Sequence, residues 1–182
     1  MSILKVARMG HPVLRERARL LGRTEVAAPV IQKLIDDMID TMVEYNGVGL
    51  AAPQVHEGLR LFVASLDTGD AADQGKAEPI AIINPEIQII GREVVDDWEG
   101  CLSIPDIRGR VPRARQIVLR ALDRRGDPVE LAAQGFPARV IQHETDHLDG
   151  VLFFDRMRSF ESLTFLEEYG RYHDRDDEDD EN

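Results

Sequence analysis

From Pro29 onward, Ile31, Leu34, Ile35, Met38, Met42 and Tyr45 recur at helical spacing, with Lys33, Asp36, Asp37 and Asp40 between them. An apolar stripe with a polar opposite face predicts an amphipathic helix. Pro29 suits its first turn, and Asn46-Gly47 should end it, because glycine accepts the left-handed conformation that closes a helix. Four short runs rich in Val and Ile and bounded by Gly, Pro or Asp read as strands: Leu59 to Ser65, Ile80 to Asn84, Glu86 to Ile90 and Gln116 to Leu122. Asp123-Arg-Arg-Gly-Asp-Pro then predicts a hairpin turn into Val129-Glu-Leu-Ala. A helical pattern resumes over Pro137 to Asp149 and stops at Gly150. A last helix is expected over Ser159 to Tyr169, where Phe160, Leu163, Phe165 and Leu166 stand among glutamates. Helices and strands mixed without regular alternation predict an α+β fold rather than a doubly wound parallel sheet.

With 182 residues, 43% hydrophobic and 31% charged, the chain can bury a core that needs neither disulfides nor a structural metal. Any metal it binds is then expected to be functional. The lone cysteine, Cys101, cannot form an internal disulfide, which fits a reducing compartment. No apolar leader follows Met1, and no apolar run approaches the roughly 18 residues of a membrane span. A cytoplasmic protein is expected, with no membrane partner. One domain is expected over residues 1–173, followed by a tail over 174–182 that packs seven acids with one arginine. Like charges with nothing apolar to bury predict a disordered end. The tail supplies half of the net charge of −12, so the body is mildly acidic and no specific nucleic-acid binding is expected.

The chemistry concentrates in Gln142-His143-Glu144-Thr145-Asp146-His147, an H-E-x-x-H within a predicted helix. Histidines four residues apart project from one helix face and can reach a single metal ion, with Glu144 roughly 100° round from His143, able to contact a water on that ion. Catalytic sites of this kind usually take three protein ligands and keep one position open. An extended metzincin pattern would place its third ligand at Phe153, which cannot bind a metal. Glu161, Glu167 and Glu168 are available downstream on what reads as a solvated helix face. Cys101, in Trp98-Glu-Gly-Cys-Leu-Ser-Ile-Pro, is the other candidate, although a lone cysteine is more often a small buried hydrophobe. Gly47-Val-Gly-Leu-Ala-Ala-Pro-Gln54 forms a third unusual segment, whose glycines let the backbone approach a ligand and whose end carries an amide.

Together, Gly47-Val-Gly-Leu-Ala-Ala-Pro-Gln54, Glu99-Gly-Cys-Leu-Ser103 and Gln142-His-Glu-Thr-Asp-His147 resemble the three motifs of the peptide deformylases, in order. The likeness extends over Arg8-Met-Gly-His-Pro-Val-Leu and Ile104-Pro-Asp-Ile-Arg-Gly-Arg-Val-Pro-Arg. It implies mainly antiparallel β-sheets packed around a central helix carrying the H-E-x-x-H, with an N-terminal and a C-terminal helix. It also implies a metal held by Cys101, His143 and His147, with Fe2+ as the physiological ion and Zn2+, Ni2+ or Co2+ as substitutes. The implied reaction is hydrolysis of the N-formyl group from the terminal methionine of newly made polypeptides, releasing formate. Glu144 would be base and then acid, and the Gln54 amide with the backbone N–H of Leu102 would stabilise the oxyanion. The resemblance places the peptide beside Val48 and Gly49 and along Glu99 and Gly100. It puts the methionine side chain near Val140 and His143, with Arg108 helping to position the chain. Transient ribosome contact is also implied, but the acidic C-terminus should be repelled by RNA phosphates and is a poor docking element.

Overall fold

The computed structural model describes residues 2–66 and 78–173; the acidic segment 174–182, expected to be a disordered tail, lies outside the described residues. The Val- and Ile-rich runs pair into one antiparallel sheet. Strands β1 (Gly49–Ala51), β2 (Leu61–Ala64), β3 (Ile80–Cys101), β4 (Ile104–Leu122) and β5 (Pro128–Gln134) lie side by side in chain order, and a two-residue β6 (Thr164–Phe165) pairs with β4 at Ile107 and Arg108. The helices are α1 (Arg23–Val26), α2 (Pro29–Glu44), α3 (Phe136–Leu148) and α4 (Leu166–Tyr172).

Side chains alternate across a strand, and β2 uses that alternation to seat a helix on each face. Leu61 and Val63 pack with Ile31, Ile35, Met38 and Met42 of α2. Phe62 and Ala64 pack with Ala138, Val140, Ile141 and Leu148 of α3. Each Leu, Ile or Phe side chain fully buried there contributes about 1.5–3 kcal/mol. A third cluster, Ala7, Leu14, Cys101, Ile104, Val111, Leu152 and Phe153, closes around the far end of the β3–β4 hairpin.

Three expectations change. The runs Ile80 to Asn84 and Glu86 to Ile90 are one strand, continuing to Cys101, with register shifts at Ile83/Glu86 and Ile90/Val94. The residues that looked like breaks are bulges: Asn84 has φ 53° and Gly91 has φ 75°. The Asn84 side chain accepts from Leu21 N and donates to Leu21 O, so long-range bonds hold the kink. In place of a helix over Ser159 to Tyr169, Thr164 and Phe165 add to the sheet and α4 begins at Leu166. Phe160 and Phe165 are exposed, so the apolar spacing there marks no buried helix face. The end of α2 is closed by Asn46 at φ 51°, not by Gly47. Gly47 N–H donates to Met42 O at 2.8 Å and Asn46 N–H to Val43 O at 3.0 Å, the paired bonds of a Schellman closure.

α3 is tied down in its middle and at its C-terminal end. The Gln142 amide docks on the β4 backbone, accepting from Ala114 N at 3.1 Å and donating to Ala114 O at 2.9 Å. Arg60 donates to the Leu148 carbonyl at 3.3 Å, a cation at the negative end of the helix. Gly150 follows at φ 73°, and a Cβ there would lie 2.6 Å from the Arg15 carbonyl oxygen, so only glycine fits.

Candidate active site

α3 buries eight of its thirteen residues, and Arg139, Glu144, Asp146 and His147 are among them. Burying that much charge is costly unless the groups satisfy one another or a ligand. His143 and His147 stand one turn apart with ring centroids 5.0 Å apart, and Cys101, the last residue of β3, brings its Sγ to 3.3 Å from His147 Nε2. One donor atom from each of Cys101, His143 and His147 lies within 4.8 Å of the others, the one such group of His, Cys, Asp and Glu among the described residues. Tetrahedral bonds of the usual thiolate and imidazole lengths would separate sulfur from nitrogen by about 3.6 Å, so the donor set fits a small divalent cation with little rearrangement. His147 Nδ1 is buried without a hydrogen-bond partner among the described residues.

Burial pushes the Cys101 thiol up, but the neighbouring His147 charge and hydrogen bonding to both histidines outweigh it and hold the group well below its ordinary range. The thiolate is the form that ligates metals. For His143, burial pulls down, while hydrogen bonds to Cys101 and Glu99 hold it well above its usual value. His143 Nδ1 sits 2.8 Å from Glu99 Oε2, which leaves Nε2 for the cluster.

Glu99 is the centre of a buried ionic network. Its carboxylate accepts from Arg113 Nε at 2.8 Å and Nη2 at 3.0 Å, and from Arg139 Nη1 at 2.8 Å. Arg113 continues to Asp146 at 2.5 Å, and Asp146 accepts from Arg156 at 2.6 Å. Burial alone would raise Glu99; hydrogen bonds from His143 and Arg113 hold it far below the ordinary carboxylate range.

Glu144 is 4% exposed, and its Oε2 has no hydrogen-bond partner among the described residues. Burial raises its carboxyl even though both histidines pull it down. Gly49 of β1 makes room for it, since a Cβ there would fall 2.7 Å from Glu144 Cδ. Gln54, 2% exposed in the 3-10 turn Ala52–Val55, accepts from Ala51 N at 2.8 Å and points Nε2 at Cys101 Sγ (3.4 Å) and Ser103 Oγ (3.2 Å). Leu102 lies between these last two residues in the turn joining β3 to β4, half-buried and close to Gly47.

The remaining sequence candidates are spread more widely. Val48 is 46% exposed at the entrance to β1. Gly100 faces Arg108 across the β3–β4 pair, with the guanidinium lying where a Cβ would be. Val140 is buried in the apolar cluster with Phe62 and Ile141. Phe153, 1% exposed, stacks on the His143 ring with centroids 6.4 Å apart. Glu167 and Glu168 pair with Arg171 on α4, and Glu161 is exposed, so none joins the cluster. Sequence reasoning passed over Arg113, Arg139, Asp146 and Ser103. For two of them a signal existed: Arg139 and Asp146 stand at i−4 and i+3 from His143, on the same side of the helix.

Comparison with known proteins agrees with this geometry. The family model described as polypeptide deformylase matches residues 3–162. A peptide deformylase 2 from Nostoc sp. is 45% identical over 92% of this chain and 93% of its own length. Among solved structures, a peptide deformylase from Thermotoga maritima is 41% identical with TM-score 0.78, covering 87% of this chain and all (100%) of its own. A class I type b peptide deformylase from Acinetobacter baumannii, solved with Met-Ala-Ser bound, is 40% identical with TM-score 0.78, covering 86% of this chain and 100% of its own. A cysteine ending a strand, two histidines one turn apart and a match over nearly the whole described chain lead to one conclusion: this chain belongs to the polypeptide deformylase family.

Proposed function

We propose that this chain is a metal-dependent hydrolase that removes the N-formyl group from the terminal methionine of newly made polypeptides, releasing formate. The observation that carries the reading is the convergence of Cys101, His143 and His147 donors within 4.8 Å, with the partnerless Glu144 carboxylate oxygen on the same helix. Cys101 Sγ and one nitrogen of each histidine would hold the ion, Fe2+ by family likeness, with Zn2+, Ni2+ or Co2+ able to replace it. A bound divalent ion would lower the pKa of a coordinated water and polarise the formyl oxygen.

The chain's own groups do the rest. Glu144 takes the proton of the attacking water and delivers it to the departing amine. Its raised carboxyl suits a group that must both accept and give a proton. Gln54 Nε2 and the Leu102 N–H donate to the formyl oxygen as it gains charge. Val48, Gly49, Glu99, Gly100 and Arg108 would border an extended peptide, pairing with its backbone as an added strand would, and Val140 and His143 would border the methionine side chain. The Met-Ala-Ser held by the Acinetobacter relative has the chemistry of a deformylated product and supports this choice of substrate. Residues 1–173 are read as one catalytic domain, at work in the cytoplasm where such substrates arise; no helix among the described residues is long and apolar enough to cross a membrane.

The test is formate release from formyl-Met-Ala by protein purified without oxygen and loaded with Fe2+, Ni2+ or Zn2+. Glu144→Gln should keep its metal and lose about 10²–10⁴-fold in kcat. No release with any metal would reject the proposal, and wild-type turnover by Glu144→Gln would reject the proton carrier.

A further inference from the structure

We infer that Ser103 is a positioning residue that aims the Gln54 amide at the reacting carbonyl. The inference rests on the reading of Gln54 as an oxyanion donor. Gln54 Oε1 is fixed by the Ala51 N–H at 2.8 Å, which decides which end of the amide carries the donors. That leaves two N–H bonds on Nε2, diverging in the amide plane. Ser103 Oγ, at 3.2 Å, takes one of them, and the other is left facing Cys101 Sγ at 3.4 Å, the side on which the ligand cluster lies.

Ser103 is itself held in place. It is 1% exposed, its carbonyl accepts from Met9 N–H at 2.8 Å, and Gln54 is the one hydrogen-bond partner of its hydroxyl among the described residues. The Gln54 carbonyl is fixed in the same way by the Ala7 N–H at 2.7 Å, so one N-terminal segment sets the spacing between the two residues. Without the serine oxygen, one N–H of a buried amide would have only the weak sulfur acceptor within reach, and the amide would turn toward it. The donor then leaves the line to the formyl oxygen. A donor that must meet charge developing at one point is sensitive to displacements of well under 1 Å, so a hydroxyl that never touches substrate would still set the rate.

The experiment is a double-mutant cycle on the full metal-loaded chain, with formyl-Met-Ala as substrate and metal content and melting temperature measured for every variant. Gln54→Ala should lower kcat about 10²–10³-fold. Ser103→Ala should lower kcat about 10–100-fold, leave KM within about twofold, and keep a full complement of metal. In the Gln54→Ala background, Ser103→Ala should cost less than about twofold more, because the group it aims is gone. Ser103→Thr and Ser103→Val have the same shape and differ by the oxygen, so Thr should be the faster by about tenfold or more even if the added methyl perturbs both. If Gln54→Ala turns over like wild type, the oxyanion reading itself fails. If Gln54→Ala is impaired while Ser103→Ala is not, if the two losses multiply, or if Thr and Val are equal, Gln54 keeps its role and the inference about Ser103 is overturned.

Discussion

Replacing Glu99 with glutamine keeps the shape of a buried side chain, removes its charge and turns one of its two acceptors into a donor. Every contact of the carboxylate is with a donor: Arg113 Nε and Arg139 Nη1 on Oε1, Arg113 Nη2 and His143 Nδ1 on Oε2. An amide cannot serve all four. With its nitrogen toward His143, it needs Nδ1 as acceptor, which moves the imidazole proton to Nε2 and blocks the nitrogen that faces Cys101. With its nitrogen toward the arginines, two donors confront a third. Leaving buried charge uncompensated costs about 3–5 kcal/mol, which for a chain of this length is a fall in melting temperature of about 6–20 °C. Loss of the partner that orients a ligating histidine should weaken metal binding about 10–100-fold. Thermal unfolding of metal-free protein reads the first effect and Zn2+ titration against a chelator reads the second. Acid stability supplies a third reading. Because Glu99 titrates in the folded chain far below its ordinary 4.5, its contribution is complete above that pH and is lost as the pH falls toward the folded value. The metal-free wild type should therefore lose stability more steeply below about pH 4.5 than Glu99→Gln does. A variant that melts with wild type and binds Zn2+ as tightly would refute the role given to this network.

Gly49→Ala puts a methyl 2.7 Å from Glu144 Cδ and must displace that carboxylate; if Glu144 is the proton carrier proposed above, kcat for formate release should fall about 100-fold while metal content is unchanged. Cys101→Ala should weaken metal binding by more than the about 10–100-fold typical of an outer partner, measured by elemental analysis after dialysis; a variant that keeps its ion would refute Cys101 as a ligand. Gly150→Ala meets both a left-handed backbone and the Arg15 carbonyl, so it should lower the unfolding free energy by about 1–3 kcal/mol in urea with activity per folded molecule unchanged.

What the sequence revealed follows the range of the forces involved. α2 was readable because its buried face repeats every turn, and the three site segments because each packs its chemistry into a few consecutive residues. The continuity of β3 was not, since Asn84-Pro85 and Gly91 look like punctuation until Leu21, 63 residues away, is seen bonding the Asn84 side chain. Thr164 and Phe165 look helical beside Phe160 and Leu163, and what decides otherwise is β4 at Ile107 and Arg108. The Glu99 network escaped for the same reason: Arg113 reaches Glu99 only because β3 and β4 fold back on each other in a particular register.

The N-terminal clip has a consequence for how the molecule is made. Ala7 and Met9 bind carbonyls at Gln54 and Ser103, while Cys101 meets a histidine 46 residues later, so the site is closed by contacts between stretches synthesised far apart in time. Pairings of such long range make folding slow. A copy still leaving the ribosome holds its first clip residues ready but has nothing to clip, and it stays inert until His147 has emerged.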